Sequence, residues 1–125
     1  MREKFPTWIV SCSILPLSLL VLTSCSHPQV PFDELVKRNG VTYRVDSDEP
    51  FTGISVKFHE NGLLKNRAHY KAGLKNGLSE WYWENGQLGQ RANLKDGKKD
   101  GLLEAFNQNG QLQRSVIYKN GVKID

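Results

Sequence analysis

Trp81 and Trp83 stand two residues apart on either side of Tyr82, and they are the side chains best suited to recognition in this 125-residue chain. If the run is an extended strand, alternation puts both indoles on one face and Tyr82 on the other. Arg67, Arg91, Lys57, His59 and His69 share the odd numbering of the two tryptophans. An indole offers a large rigid contact area and a guanidinium a planar cation, which is the composition of binding hot spots. The expected partner-binding surface is therefore Trp81, Trp83, Arg91, Arg67 and Lys57. The competing reading is structural: the indoles lie along the aliphatic stems of Arg67 and Arg91 and stiffen a sheet.

Other chemistry finds less support. His59 and His69 have no third ligand at a sensible spacing and no cysteine beside them, so no metal or other cofactor is expected. Ser55, Ser79 and Ser115 lack a strained nucleophile motif, and no carboxylate stands obviously behind either histidine; an enzyme is not expected. The formal charge of +4 is mild and dispersed, with no run of Lys or Arg to follow a nucleic-acid backbone. Nucleic acid is excluded as a partner on that ground.

These candidates sit inside one motif written three times. Gly53, Gly77 and Gly101 open units of 24 residues, 53–76, 77–100 and 101–124. Asn61-Gly62, Asn85-Gly86 and Asn109-Gly110 recur at one offset, followed by Leu64, Leu88 and Leu112. Lys71, Lys95 and Lys119 come next, then Gly73, Gly97 and Gly121; Phe58, Tyr82 and Phe106 keep one column aromatic. A fixed period of this size marks a repeat architecture whose units bury their apolar faces against their neighbours.

Each unit holds two glycine-punctuated runs too short for helices. Their apolar residues fall on even numbers: Ile54, Val56, Phe58, Leu64, Ala68 and Tyr70 in the first unit, with counterparts in the others. Period two means strands with the even face buried. A three-residue loop, Glu60-Asn61-Gly62, keeps Phe58 and Leu64 on one face, pairing 58 with 64 and 54 with 68, and requires a left-handed backbone at Gly62, Gly86 and Gly110. The same parity argues for a three-residue loop at Lys71-Ala72-Gly73 and its copies. Glu80 and Glu104 interrupt the even pattern and are expected near an edge of that face. The predicted fold is all-β: an elongated, twisted antiparallel meander of about eight strands built from three β-hairpin repeats.

Residues 1–24 read as an export signal. Arg2 and Lys4 precede an uncharged, mostly apolar run, Trp8 to Leu22, shorter than the roughly 20 residues of a membrane-spanning helix. Its end, Leu22-Thr23-Ser24-Cys25, resembles the lipobox of bacterial lipoproteins, which implies that Cys25 is acylated and becomes the mature N-terminus. Cys12 would leave with the signal, so no disulfide is expected. By the same resemblance Ser26, which is not Asp, implies the outer membrane if the source is Gram-negative. Residues 25–33 are expected to form a lipidated tether and 34–52 a hairpin around Asn39-Gly40 with a linker.

Aromatic–x–Glu/Gln–Asn-Gly, then Leu, Tyr-Lys-x-Gly and Asp/Asn-Gly resembles the MORN-like repeat over residues 50–125. The opening Pro50-Phe51-Thr52-Gly53 is similar to the bacterial variant in proteins named as YwqK-type antitoxins. The resemblance implies an envelope-anchored protein-binding module, an immunity or antitoxin protein that neutralises a toxin or effector. The alternative it implies is an envelope structural or phospholipid-contacting lipoprotein.

Overall fold

Short runs of spaced apolar residues, broken by glycine turns, leave each segment just long enough for one strand. The computed structural model describes residues 27–124. Its strands are β1 (Gln29–Pro31), β2 (Leu35–Arg38), β3 (Val41–Arg44), β4 (Gly53–Phe58), β5 (Leu64–Lys71), β6 (Leu74–Tyr82), β7 (Leu88–Lys95), β8 (Lys98–Phe106), β9 (Leu112–Lys119) and β10 (Val122–Lys123). Eight of them form an open sheet in the order β1-β4-β5-β6-β7-β8-β9-β10, while β2 and β3 pair as a separate hairpin. Apart from parallel β1 and β4, all pairs are antiparallel, so the repeats make the predicted meander.

The Asn-Gly turns have three-residue loops. His59 N–H donates to the Leu63 carbonyl and Gly62 N–H to the His59 carbonyl, with the same pair of bonds at Trp83–Gln87 and Asn107–Gln111. Gly62, Gly86 and Gly110 take φ of +91°, +90° and +88°, the left-handed region that a Cβ disfavours. The second set of turns differs from expectation. Lys71 pairs with Leu74, and Lys95 with Lys98, so the loops are the two residues Ala72-Gly73 and Asp96-Gly97. Ala72 (+51°) and Gly73 (+83°) both have positive φ, the type I′ turn whose twist matches that of the flanking strands.

The register also departs from the parity expected. Phe58 faces Leu64, but one step along Lys57 faces Asn66, leaving Lys65 as an extra, unpaired residue. Gly89 and Gln113 are the corresponding extra residues in the other units. A bulge of this kind shifts parity by one. Ser55, not Ile54, therefore stands opposite Ala68, and Ala68 opposite Ser79. The row continues through Ala92, Leu103 and Val116, and Ser55, Ala68, Ala92, Leu103 and Val116 are all buried. The buried face is thus odd in the first strand of each unit and even in the second. Phe58, Leu102 and Leu112, expected to be buried, lie on the opposite face at 56%, 41% and 53% exposure. Val56 on that face is buried. Glu80 and Glu104 occupy its middle row rather than an edge, each opposite an arginine.

The segment before the repeats covers one end of the buried face. Residues 25–33 were expected to be a tether, yet Gln29–Pro31 is strand β1, and Val30 is the most buried of the core hydrophobics at 2% exposure. The three-residue pairing with β4 supplies ladder bonds that a solvated tether would lack. A 3-10 turn (Phe32–Glu34) then leads into the β2–β3 hairpin, which turns at Asn39-Gly40. Thr42 N–H donates to the Gly73 carbonyl, Gly73 N–H to the Phe51 carbonyl and Phe51 N–H to the Thr42 carbonyl, fastening hairpin and linker to the sheet. Val30, Phe51, Ala68 and Tyr70 form the core cluster, with Leu35 packed against it. The segment expected to be an export signal (1–24), Cys25 and Ser26 lie outside the described residues. Among the described residues, no helix is long and apolar enough to cross a membrane.

Candidate functional site

The expected five-residue surface is divided between the two faces of the sheet. Trp81 is opposite Asn66 and Gln90, and Lys57 is opposite Asn66, which puts them on the covered face. Arg67 is opposite Val56 and Glu80, and Arg91 opposite Glu80 and Glu104, on the open face. The single-residue bulge is the reason: shared odd numbering stops implying a shared face once one strand carries an extra residue. The indoles therefore do not lie on the stems of Arg67 and Arg91 either.

The two tryptophans pack on each other, ring centroids 4.5 Å apart at 69°. Trp81 lies over Gly89, where a Cβ would come within 2.3 Å of its ring. The Trp83 indole N–H donates to the Phe106 carbonyl (3.1 Å). His59, one unit earlier, makes the equivalent contact from Nε2 to the Tyr82 carbonyl at 2.9 Å. Asn61 Nδ2 donates to the Glu84 carbonyl and Asn85 Nδ2 to the Gln108 carbonyl. These side chains tie the first two Asn-Gly tips to the unit that follows, and both indoles are half-buried, Trp83 through its indole bond and Trp81 against Trp83 and Gly89. His69 uses Nδ1 on the Leu78 carbonyl, and its partner Ile54 puts it on the open face, away from His59.

On the open face three rows run across the strands. The middle row is Val56, Arg67, Glu80, Arg91, Glu104 and Ser115. Arg67 Nη2 lies 2.8 Å and Nε 3.0 Å from Glu80 Oε1, and Arg91 Nε lies 2.8 Å from Glu104 Oε1. The hydrogen-bonded Glu80 carboxylate holds the Arg67 guanidinium above its ordinary pKa, with burial acting the other way. Burial, assisted by the Glu80 charge, pushes the Tyr82 phenol up as well. Two apolar rows flank this ladder. Toward the Asn-Gly tips stand the pairs Phe58–Leu64, Tyr82–Leu88 and Phe106–Leu112. On the other side are Ile54, Leu78, Leu102 and Ile117, the last two 41% and 47% exposed. The Arg91 guanidinium also sits 5.9 Å from the Phe106 ring centroid.

Charge is thus self-neutralised between two partly exposed apolar rows, a composition that suits burial against another surface. The aromatic and leucine columns were visible in the sequence, but they were assigned to the core because the bulge has no consistent residue type to announce it: Lys65, Gly89 and Gln113 differ in charge and size.

Comparison with known families finds the MORN repeat variant three times, at residues 51–72, 75–96 and 99–120. Each match begins two residues ahead of a glycine that opens a unit, with the same period of 24. No curated protein and no solved structure matches the chain. The three matches cover just over half of the chain and coincide with the hairpins that carry both faces described above: the chain belongs to the family of MORN repeat variant proteins.

Proposed function

We propose that this chain is an envelope lipoprotein, anchored through Cys25, whose three-unit sheet docks a protein partner across its open face, in the role of an immunity or antitoxin protein for a toxin or effector. The repeats make a protein- or membrane-binding module. The observation that favours a protein is the apolar rows, with Phe58, Leu102, Leu112 and Ile117 each more than 40% exposed around the Arg–Glu ladder. Apolar side chains of this size side by side on a sheet face gain most from a complementary dry surface.

The test is site-specific photo-crosslinking in cells. A crosslinker at position 58 or 112 should trap a discrete adduct, and one at position 83 on the covered face should not. Phe58→Ala with Leu112→Ala should abolish the position-102 adduct. Adducts confined to position 83 would sink the reading. Anchoring is tested apart from this: Cys25→Ala should take up no labelled fatty acid.

A second reading has its own observation. Lys71, Lys95 and Lys119 recur, exposed, at the type I′ edge of the sheet, where they could face anionic headgroups. It predicts salt-sensitive binding to anionic vesicles that is lost on replacing those lysines and indifferent to Phe58→Ala.

A further inference from the structure

We propose that the recess between the first repeat and its N-terminal hairpin is a binding site for the oxyanion of a small soluble ligand, a phosphate ester or carboxylate. This site lies on the covered face and does not depend on the open-face reading above.

Three cross-strand rows build its floor. Lys57 faces Asn66; Ser55 and Ser79 flank Ala68; and Lys75 faces Tyr70. The recess exists because the central row is small here. In the third unit the same columns hold Leu103 and Val116, both buried, and are filled by apolar side chain. Around Ala68 a cavity of about 250 Å³ remains, lined by Ser55, Lys57, Asn66, Tyr70, Lys75 and Ser79 and walled by Phe32. It continues past Tyr70 and Lys75 into a recess of about 230 Å³ under the hairpin, reaching Lys37 and Thr42.

The chemistry of the lining is lopsided. Besides Arg67, whose guanidinium is held by Glu80, it presents two ammonium groups, three hydroxyls and an amide, and among the described residues no carboxylate lines the cavity. Ser55 and Tyr70 are only 5% and 8% exposed. Burial pushes the Tyr70 phenol up, so at neutral pH it stays a donor. The Lys57 ammonium is held at the mouth, 5.3 Å from the Phe32 ring centroid. Among the described residues, neither Lys57 nor Lys75 forms an ion pair with a carboxylate. A donor-rich, cationic, partly enclosed floor is complementary to an acceptor-rich anion, whose charge-assisted bonds gain strength away from bulk water. The second and third units cannot make the same site, because Lys57 is replaced by Trp81 and then Ala105, and Asn66 by Gln90 and Arg114.

The test uses the full chain in uncharged nanodiscs, followed by amide chemical shifts. Inorganic phosphate and glycerol 3-phosphate should each give saturable shifts at Ser55, Asn66, Tyr70 and Lys75. Lys57→Gln and Lys75→Gln should each weaken binding about tenfold, the loss of one charge-assisted contact. Lys123→Gln, the same change of charge on β10 at the far edge of the sheet, should leave it unchanged. All three lysines are exposed, so the variants keep the fold. Equal weakening by Lys123→Gln, or shifts that merely track ionic strength, would overturn the proposal. So would shifts seen only when phosphatidylglycerol replaces part of the bilayer, since that identifies a headgroup instead of a soluble ligand.

Discussion

Trp81 lies across Gly89, with Cζ3 and Cε3 at 2.3 and 2.4 Å from where a glycine-89 Cβ would stand. Gly89 is the bulge residue of its unit, and the other bulges carry Lys65 and Gln113, neither of which has an indole above it. Glycine at this position thus follows from the tryptophan, not from the backbone.

Gly89→Ala is expected to destabilise the protein by about 1–3 kcal/mol, the range for forcing a methyl into a packed site. Trp81→Ala should also destabilise, by about 2–3 kcal/mol, since it uncovers the bulge. In the double variant the clash is gone, so the effects should fall well short of additive by denaturant titration. Strict additivity would mean that the indole does not rest on Gly89.

The turns make a paired prediction. Nothing lies within 4 Å of a Cβ built at Gly62, so Gly62→Ala meets backbone strain alone and should cost about 1–2 kcal/mol. Ala72 already bears such strain at φ +51°, where Asn39 and Asn120 occupy the equivalent turn positions. Ala72→Asn should therefore stabilise by about 0.5–1 kcal/mol. A thermal midpoint that falls in Ala72→Asn would contradict the type I′ assignment.

Period, strand class and the left-handed glycines at 62, 86 and 110 are legible because each is a local property with a residue signature. Glycine in a left-handed turn is a steric requirement, and it recurs every 24 residues. The faces are not legible, because they depend on one unpaired residue per unit whose identity is free. That single residue moves Phe58 and Leu112 outward and separates Arg67 and Arg91 from Trp81. Strand β1 escaped for another reason: Gln29–Pro31 gains its stability from a non-local parallel pairing, and the prolines around it read as a linker. The recess beside Ala68 left one trace, the recurrence of Ser at 55 and 79 where the third unit has Leu103.

Alkaline pH should weaken the fold through its tyrosines. Burial raises the Tyr70 pKa above the ordinary 10.0, with the Ser55 hydrogen bond acting the other way, and Tyr82 is raised by burial and by Glu80. The folded state therefore holds these protons more tightly than the unfolded chain does. Their contribution is complete below about pH 10, where unfolded tyrosine ionises, and is lost as pH rises through the higher folded values. Tyr70→Phe should flatten the fall in stability above about pH 10. An unchanged slope would show that Tyr70 ionises as freely in the fold as in the unfolded chain.

The two ion pairs of the open face should differ in strength although their contact distances are equal. Both close at 2.8 Å, but the Glu80 side chain is 11% exposed against 17% for Glu104, and Arg67 is 37% exposed against 48% for Arg91. Arg67 also reaches Glu80 Oε1 with both Nε and Nη2, while Arg91 uses Nε alone. Glu80→Ala should thus cost about 2–3 kcal/mol, in the range of hydrogen bonds to buried charge. Glu104→Ala should cost about 1 kcal/mol, nearer a surface pair, and more of its effect should vanish at high salt. Glu80→Gln keeps an acceptor for Arg67 and should fall between wild type and Glu80→Ala. Denaturation midpoints that rank Glu104→Ala as the more damaging variant would mean that the outer pair, beside the Phe106 ring, organises the face.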